Sequence, residues 1–300
     1  MKDVETYDAG TASKANHVYI AWSHGIEVRD SFFHFGRDSS SDRNYGVSFF
    51  FWNSDHKVEN NILRQHRHSI SFEGGGSGAV ILYNYIDDNY TDDPSYLGSA
   101  RINHGAHPMM NLYEGNWISH LTADSYWGSS SHITLFRNWL RGKGSQIGLP
   151  LIPNWGFIAV DIWTDQKYYN VVGNVLGNSA WTNGGVRNSG GCGVSSPTAY
   201  RYGCDSNGAY DSATFNSILS HGNYDYVSDG IAFWDGGSDH TLKNSMYYSS
   251  KPAFFGSSVW PPYGPDSNLR PIIGNIPAKD RFEGVVINIP ATPTNLRVLP

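Results

Sequence analysis

The chain has 300 residues, a formal net charge of −6, 16% charged and 39% hydrophobic residues, and 33 glycines. That length suits one large domain or two small ones, and low charge with abundant Gly, Asn and Ser favours strands and turns. Net negative charge disfavours nucleic acid and anionic membrane surfaces as partners, and no apolar run is long enough for a transmembrane helix. Aromatic residues reach 14%, with 10 Trp and 19 Tyr, more than a core needs, so some are expected to face solvent or ligand.

Residues 1–5 lack the apolar stretch of a signal peptide. Either the protein is cytosolic or a leader, perhaps with an N-terminal cap, has been removed. Two cysteines favour the second, secreted reading. Cys192 and Cys204 sit in Gly/Ser-rich sequence, where a disulfide would close a short loop and contribute about 3 kcal/mol in the chain-entropy model. The alternative is two free thiols.

From residue 58 onward a unit recurs: an apolar residue, a short variable stretch, Asn, then a hydrophobic pair. It carries Asn61, Asn84, Asn116, Asn138 and Asn174, with looser copies at Asn216 and Asn244 and an earlier variant at Asp30-Ser31. Successive Asn positions are separated by 23, 32, 22, 36, 42 and 28 residues. The short steps fit one bare coil of a solenoid and the long ones a coil with an inserted loop. Stacked Asn at one turn of each coil would form an amide ladder along the axis.

About 11 residues before each Asn lies a short alternating run: Phe49–Trp52, Ile70–Glu73, Ser125–Trp127, Val160–Trp163 and Ile231–Trp234. Period-2 alternation then predicts Phe51, Phe72, Tyr126, Ile162 and Phe233 inside, with Trp52, Glu73, Trp127, Trp163 and Trp234 outside. By the same parity Asp124 points inward.

The phrases His56-Lys57-Val58-Glu59-Asn60-Asn61-Ile62 and Ala79-Val80-Ile81-Leu82-Tyr83-Asn84-Tyr85-Ile86 resemble coils of the right-handed parallel β-helix superfamily typified by pectate lyases. The resemblance covers roughly residues 16–250. It implies an all-β solenoid with long insertions and says little about activity, because the catalytic motifs of pectate lyases and polygalacturonases are missing from the expected coils. The expected β-helix domain is residues 1–285, with residues 252–281 wrapping the last coil. Residues 286–300 resemble a linker entering a fibronectin type III module, which implies a monomeric unit of a multimodular secreted protein.

The outward column reads Trp52, Glu73, the His104 region, Trp127, Trp163, the Tyr202 region and Trp234. Aromatic faces interrupted by carboxylate and imidazole suit a polysaccharide lying along the axis; a secondary core beneath loops is the plainer alternative. Glu73, next to Gly74-Gly75-Gly76, is the leading catalytic group, expected as a general acid whose pKa is raised by flanking aromatics. Its plainer role is a salt bridge to Arg64 or Arg67. Asp161 shares the predicted face three coils away, about 14 Å at ~4.8 Å per coil, far for a paired carboxylate. Arg101 and His104 could instead serve a lyase, neutralising a uronate and abstracting its proton. Asp87, Asp88, Asp92 and Asp93 offer oxygen ligands for a possible Ca²⁺. His66, His68, His104 and His107 raise a transition-metal reading that ordinary hydrogen-bonded histidines explain more simply. The expected function is therefore a polysaccharide-degrading enzyme, a glycoside hydrolase first, with a lyase and a non-catalytic carbohydrate-binding or tailspike-like adhesive solenoid as alternatives.

Overall fold

The computed structural model describes residues 1–9, 15–37, 44–89, 98–142, 158–181, 186–189, 192, 197–231, 239–266 and 270–284. Its strands form three long parallel sheets, each taking every third strand of the chain. Face 1 holds Asn16–Ile20, Tyr45–Phe49, His68–Phe72, Ala100–Asn103, Leu121–Ala123, Ile158–Ile162 and Thr198–Tyr202, edged by Val186–Ser189. Face 2 holds Glu27–Arg29, Lys57–Glu59, Val80–Leu82, Leu112–Glu114, Thr134–Phe136, Asn170–Val172 and Leu219–His221. Face 3 runs from Glu5–Ala9 through Phe32–Gly36, Ile62–Arg64, Tyr85–Asp87, Trp117–Ile118, Trp139–Leu140 and Val175–Leu176 to Tyr224–Asp225, where Gly230–Ile231 adds antiparallel. One passage through faces 1, 2 and 3 makes a coil, and seven follow in sequence from residue 16 among the described residues. This stacking is consistent with a β-helix.

Why the chain turns where it does is clearest between faces 2 and 3. The residue before each ladder position adopts a left-handed backbone: Asp30, Asn60, Tyr83, Gly115, Arg137, Gly173 and Gly222, with φ between 50° and 67°. Only glycine enters that region without cost. The next residue, Ser31 in coil 1 and Asn61, Asn84, Asn116, Asn138, Asn174 and Asn223 after it, is buried. From Asn61 to Asn174 each Nδ2 donates to the Oδ1 of the Asn one coil on, ending at Asn223, at 2.9–3.0 Å. Each Nδ2 also reaches a carbonyl of the coil before, as Asn84 does to Val58 at 2.9 Å. Every interior carboxamide is thereby saturated.

Two ladder expectations need correction. Asn216 lies in the short helix Ser212–Ser217, and Asn244 is exposed and outside the strands; the sixth asparagine is Asn223. The long steps after Asn84 and Asn138 place their extra residues between face 3 and face 1, and the one after Asn174 places them there and between face 1 and face 2, where the helix Ser212–Ser217 lies.

Inward residues make one continuous core. Val28, Val58, Ile81, Tyr113, Leu135 and Val171 line it from face 2, and Phe33, Leu63, Ile86, Ile118, Leu140 and Leu176 from face 3. On face 1, Phe49 stacks on Phe72 with centroids 4.4 Å apart. The predicted inward Phe72 and Ile162 are fully buried, but Phe51 and Tyr126 are 50% and 65% exposed. Their strands end at Phe49 and Ala123, so both lie in the following turn, where period-2 parity no longer holds. Phe233 lies outside the described residues.

The C-terminal segment does not wrap the last coil. It runs along the outside of face 3, where Phe255, Tyr263, Ile276 and Ala278 bury a second apolar cluster with Ile62, Tyr85, Trp117, Val175 and Tyr224. Arg137 clamps it by donating to the carbonyls of Lys243 and Tyr263 at 2.7 and 3.1 Å, and Glu114 accepts from the Met246 amide at 2.8 Å. At its far end Arg281 donates to the Asn60 carbonyl at 2.5 Å. Cys192 and Cys204 form the expected disulfide. Among the described residues no helix is long and apolar enough to cross a membrane. Residues 285–300 lie outside the described residues.

Replacing Asn116 by Ala strands buried partners on both sides: Asn84 loses its acceptor, and Ile81 and Asn138 each lose a donor. At about 1–3 kcal/mol per orphaned group, the loss should exceed about 3 kcal/mol in urea unfolding. The Asn216→Ala control should stay within about 0.5 kcal/mol.

Candidate functional site

The corner where face 1 leaves for face 2 gathers the polar and aromatic residues singled out above. Coil 3 exits through Glu73-Gly74-Gly75-Gly76, coil 4 through His104-Gly105-Ala106-His107, and coil 5 through Asp124-Ser125-Tyr126-Trp127. Parallel stacking sets successive exits about 4.8 Å apart. They can lie this close because of glycine. A Cβ on Gly105 would come 2.8 Å from the Glu73 carbonyl oxygen, and one on Gly128 would come 2.7 Å from the Ala106 Cβ.

The result is a low floor between two aromatic walls. On one side the Phe51 ring lies against Gly74, and Trp52 beyond it is 82% exposed. On the other, Tyr126 and Trp127 are 65% and 68% exposed and pack edge to face at 4.9 Å. Trp163 is half-buried, its Nε1 donating to Asp161 at 3.0 Å. Trp234 lies outside the described residues. The exposed pairs argue against the secondary-core alternative for Trp52 and Trp127.

At the floor's edge stands a charged network. Glu73 pairs with Arg101, and both side chains are 5% exposed. Ser71 also donates to Glu73, and Arg101 Nε donates to Ser71 at 3.1 Å. Both contacts to Glu73 use Oε1, and Oε2 makes no hydrogen bond among the described residues. Burial alone would raise the Glu73 carboxyl, but Arg101, His104 and the Ser71 bond outweigh it and hold the group below its ordinary value. The expected raised acid is therefore corrected: Glu73 is kept ionised. Its partner is neither Arg64, which pairs with Asp88, nor Arg67.

His104 is anchored by Asp124, Nδ1 to Oδ2 at 2.8 Å, while Oδ1 accepts the Tyr126 amide at 3.0 Å. That bond places the ring proton on Nδ1 and leaves Nε2, unbonded among the described residues, for chemistry. The Tyr126 ring lies nearly parallel to His104, planes 14° apart. Asp124 is the residue that sequence parity turned inward. It follows the inward Leu121 and Ala123, so alternation turns it outward, as it turns Glu73 outward two strands earlier; the inward expectation counts back from Tyr126, which lies past the end of the strand. The signal available was its place immediately after an apolar strand, Leu121–Ala123.

Other expected site residues are not brought here. Asp161 stands in the column Ser71, Arg101, Thr122, Asp161, Arg201, not in that of Glu73. Arg201 holds it bidentately at 2.7 and 2.6 Å. Arg101 is committed to Glu73 and has no free guanidinium to offer a uronate. Asp87 is bound by Arg141 at 3.0 Å and Asp88 by Arg64, so the Ca²⁺ expectation loses these two ligands; Asp92 and Asp93 lie outside the described residues. His66 and His68 are buried, and burial first, with neighbouring charge, keeps both well below the ordinary imidazole value. His107 bonds Ser131 at 2.9 Å. Among the described residues no three metal-ligating side chains converge.

Removing Arg101 as Arg101→Met leaves a buried carboxylate unpaired, for an expected loss of about 3–5 kcal/mol, and Glu73→Gln in the same chain should restore most of it. The folded carboxyl titrates below its unfolded counterpart. The pair's stabilisation is thus complete above about pH 4.3 and fades as pH falls through the lower folded value. Denaturant titrations should show the wild type's advantage over the double variant shrinking below about pH 4.

Compared with known proteins, the chain matches no family model, no curated protein and no solved structure.

Proposed function

We propose that the protein is an extracellular polysaccharide hydrolase built on a right-handed parallel β-helix, with its substrate crossing the glycine floor between the Phe51–Trp52 and Tyr126–Trp127 walls. One observation carries this reading. A carboxylate held ionised by an arginine and a histidine anchored by a carboxylate leave face 1 on neighbouring coils, within electrostatic reach of each other and flanked by exposed rings. The imidazolium form of His104, with Asp124 behind it on Nδ1, donates its Nε2 proton to the leaving glycosidic oxygen as the C–O bond breaks, and a water then adds to the anomeric carbon and returns a proton to Nε2. Glu73, through Oε2, faces the positive charge that develops on the sugar. Arg101 and Asp124 act through these two residues as positioning groups. The disulfide supports an oxidising compartment.

The lyase reading keeps His104 as base but needs a cation to hold a uronate, and Arg101 is already paired. A purely adhesive solenoid would use the same aromatic walls without the acid–base pair.

Incubation with a panel of neutral and acidic polysaccharides tests this directly. Reducing ends without ultraviolet-absorbing unsaturated products are expected. His104→Ala and Glu73→Gln should each lower turnover by at least about a hundredfold while retaining binding. Unsaturated products, or full activity in both variants, would overturn the assignment, and binding with no cleavage would leave only the adhesive role.

A further inference from the structure

The aromatic display does not stop at the hollow. Trp22, at the exit of coil 1, is 64% exposed and stacks on Phe51, with centroids 5.8 Å apart and planes 30° apart. Its amide donates to the Phe51 carbonyl at 3.0 Å, so it continues the coil-on-coil stacking of this corner. Beside it Tyr19, 51% exposed, stacks on Phe50 at 4.6 Å.

Backbone conformation makes the display more telling. Trp22, Phe51 and Trp52 have φ of 47°, 21° and 44°, all in the left-handed region. Bulky side chains there cost backbone energy that glycine would not incur, and coil 3 does use glycines at this turn. Left-handed Met110 and Tyr168 are exposed as well; what sets this exit apart is that Trp22, Phe51 and Trp52 group three large rings in water on two successive coils, which points to a ligand.

Charge narrows the ligand's chemistry. Along this rim Arg101, Lys167 and Arg201 are each paired with a carboxylate. Flat apolar faces beside cations that, among the described residues of this rim, are already paired suit the C–H face of an uncharged sugar better than a uronate or phosphate.

We infer that Trp22, stacked on Phe51, is a remote saccharide subsite that makes the protein select long neutral glycan chains over short ones. It lies three coil steps from His104, ~14 Å at about 4.8 Å per coil, so a ligand must run along the axis to touch both. The inference rests on the polysaccharide reading above but concerns residues outside its reacting centre.

The test compares wild type with Trp22→Gly, which removes the ring while suiting the left-handed backbone, and with Trp22→Tyr, which restores an aromatic face. Substrates are xylan, mixed-linkage β-glucan and galactomannan, each with its dimers, trimers and longer oligomers. Expected is a loss of about fivefold to tenfold in kcat/KM on long chains for Trp22→Gly, no change on dimers and trimers, and recovery in Trp22→Tyr. Equal kinetics for wild type and Trp22→Gly at every length would overturn the subsite while leaving the hydrolase reading intact. Wild type that neither binds nor cuts any of these glycans would overturn both.

Discussion

A buried primary amide can be saturated along a stack only if identical amides lie above and below it at the coil spacing. The asparagines from Asn61 to Asn223 meet that condition, and their geometry dictates much else. Because each Oδ1 receives the backbone N–H as well as the Nδ2 of its neighbour, coil n cannot slip against coil n+1 without orphaning several buried groups at once. The left-handed residue before each Asn is the local cost of the sharp turn, and the ladder offsets it. Tyr83 and Arg137 tolerate a backbone that glycine would occupy more cheaply because their outward side chains also secure the C-terminal segment, Tyr83 through Trp260 and Arg137 through the carbonyls of Lys243 and Tyr263.

Register fixed at one corner is transmitted to the others through strands of only two to five residues. The face 1 exits therefore stack reproducibly although their sequences differ completely, from Phe50-Phe51-Trp52 to Glu73-Gly74-Gly75 to Asp124-Ser125-Tyr126. Such an exit can vary because no ladder constrains its side chains. What it must preserve is close approach, and Gly105 and Gly128 supply that by having no Cβ. A hollow framed by rings on neighbouring coils follows from putting small residues in two exits and large ones in the exits on either side.

The amide ladder was legible in sequence because its chemistry demands one residue type in one frame. Asn216 and Asn244 shared the frame loosely but lacked the residue that matters, a turn-former able to take the left-handed conformation immediately before Asn. Gly222-Asn223 has it, as do Gly115-Asn116 and Gly173-Asn174, and that criterion would have found the sixth rung. Side-chain direction on face 1 was harder to read. Alternation is reliable only within a strand, and Phe51 and Tyr126 lie past strand ends that their aromatic character concealed. Counting from Tyr126, beyond the strand, turns Asp124 inward, whereas counting from the buried Leu121 and Ala123 turns it outward to meet His104. The Glu73–Arg101 pair joins residues 28 apart in sequence, so no local pattern could announce it; it follows only once coils 3 and 4 are known to be neighbours.

Strain also separates the two kinds of corner. At the asparagine corner the left-handed residues sit above a saturated ladder and mostly within the protein, so their cost is met locally. At the face 1 exit of coils 1 and 2 the left-handed residues are large, exposed and unladdered. The next turn takes its left-handed backbone at Gly25, Asp55 and Gly78 in coils 1 to 3 and at Met110, His132 and Tyr168 in coils 4 to 6. A single exposed residue of this kind is thus not peculiar to the face 1 exit, whereas the grouping of Trp22, Phe51 and Trp52 is. Large rings grouped in water beside an ionised carboxylate and an anchored imidazole are what the proposed polysaccharide reading of this edge rests on.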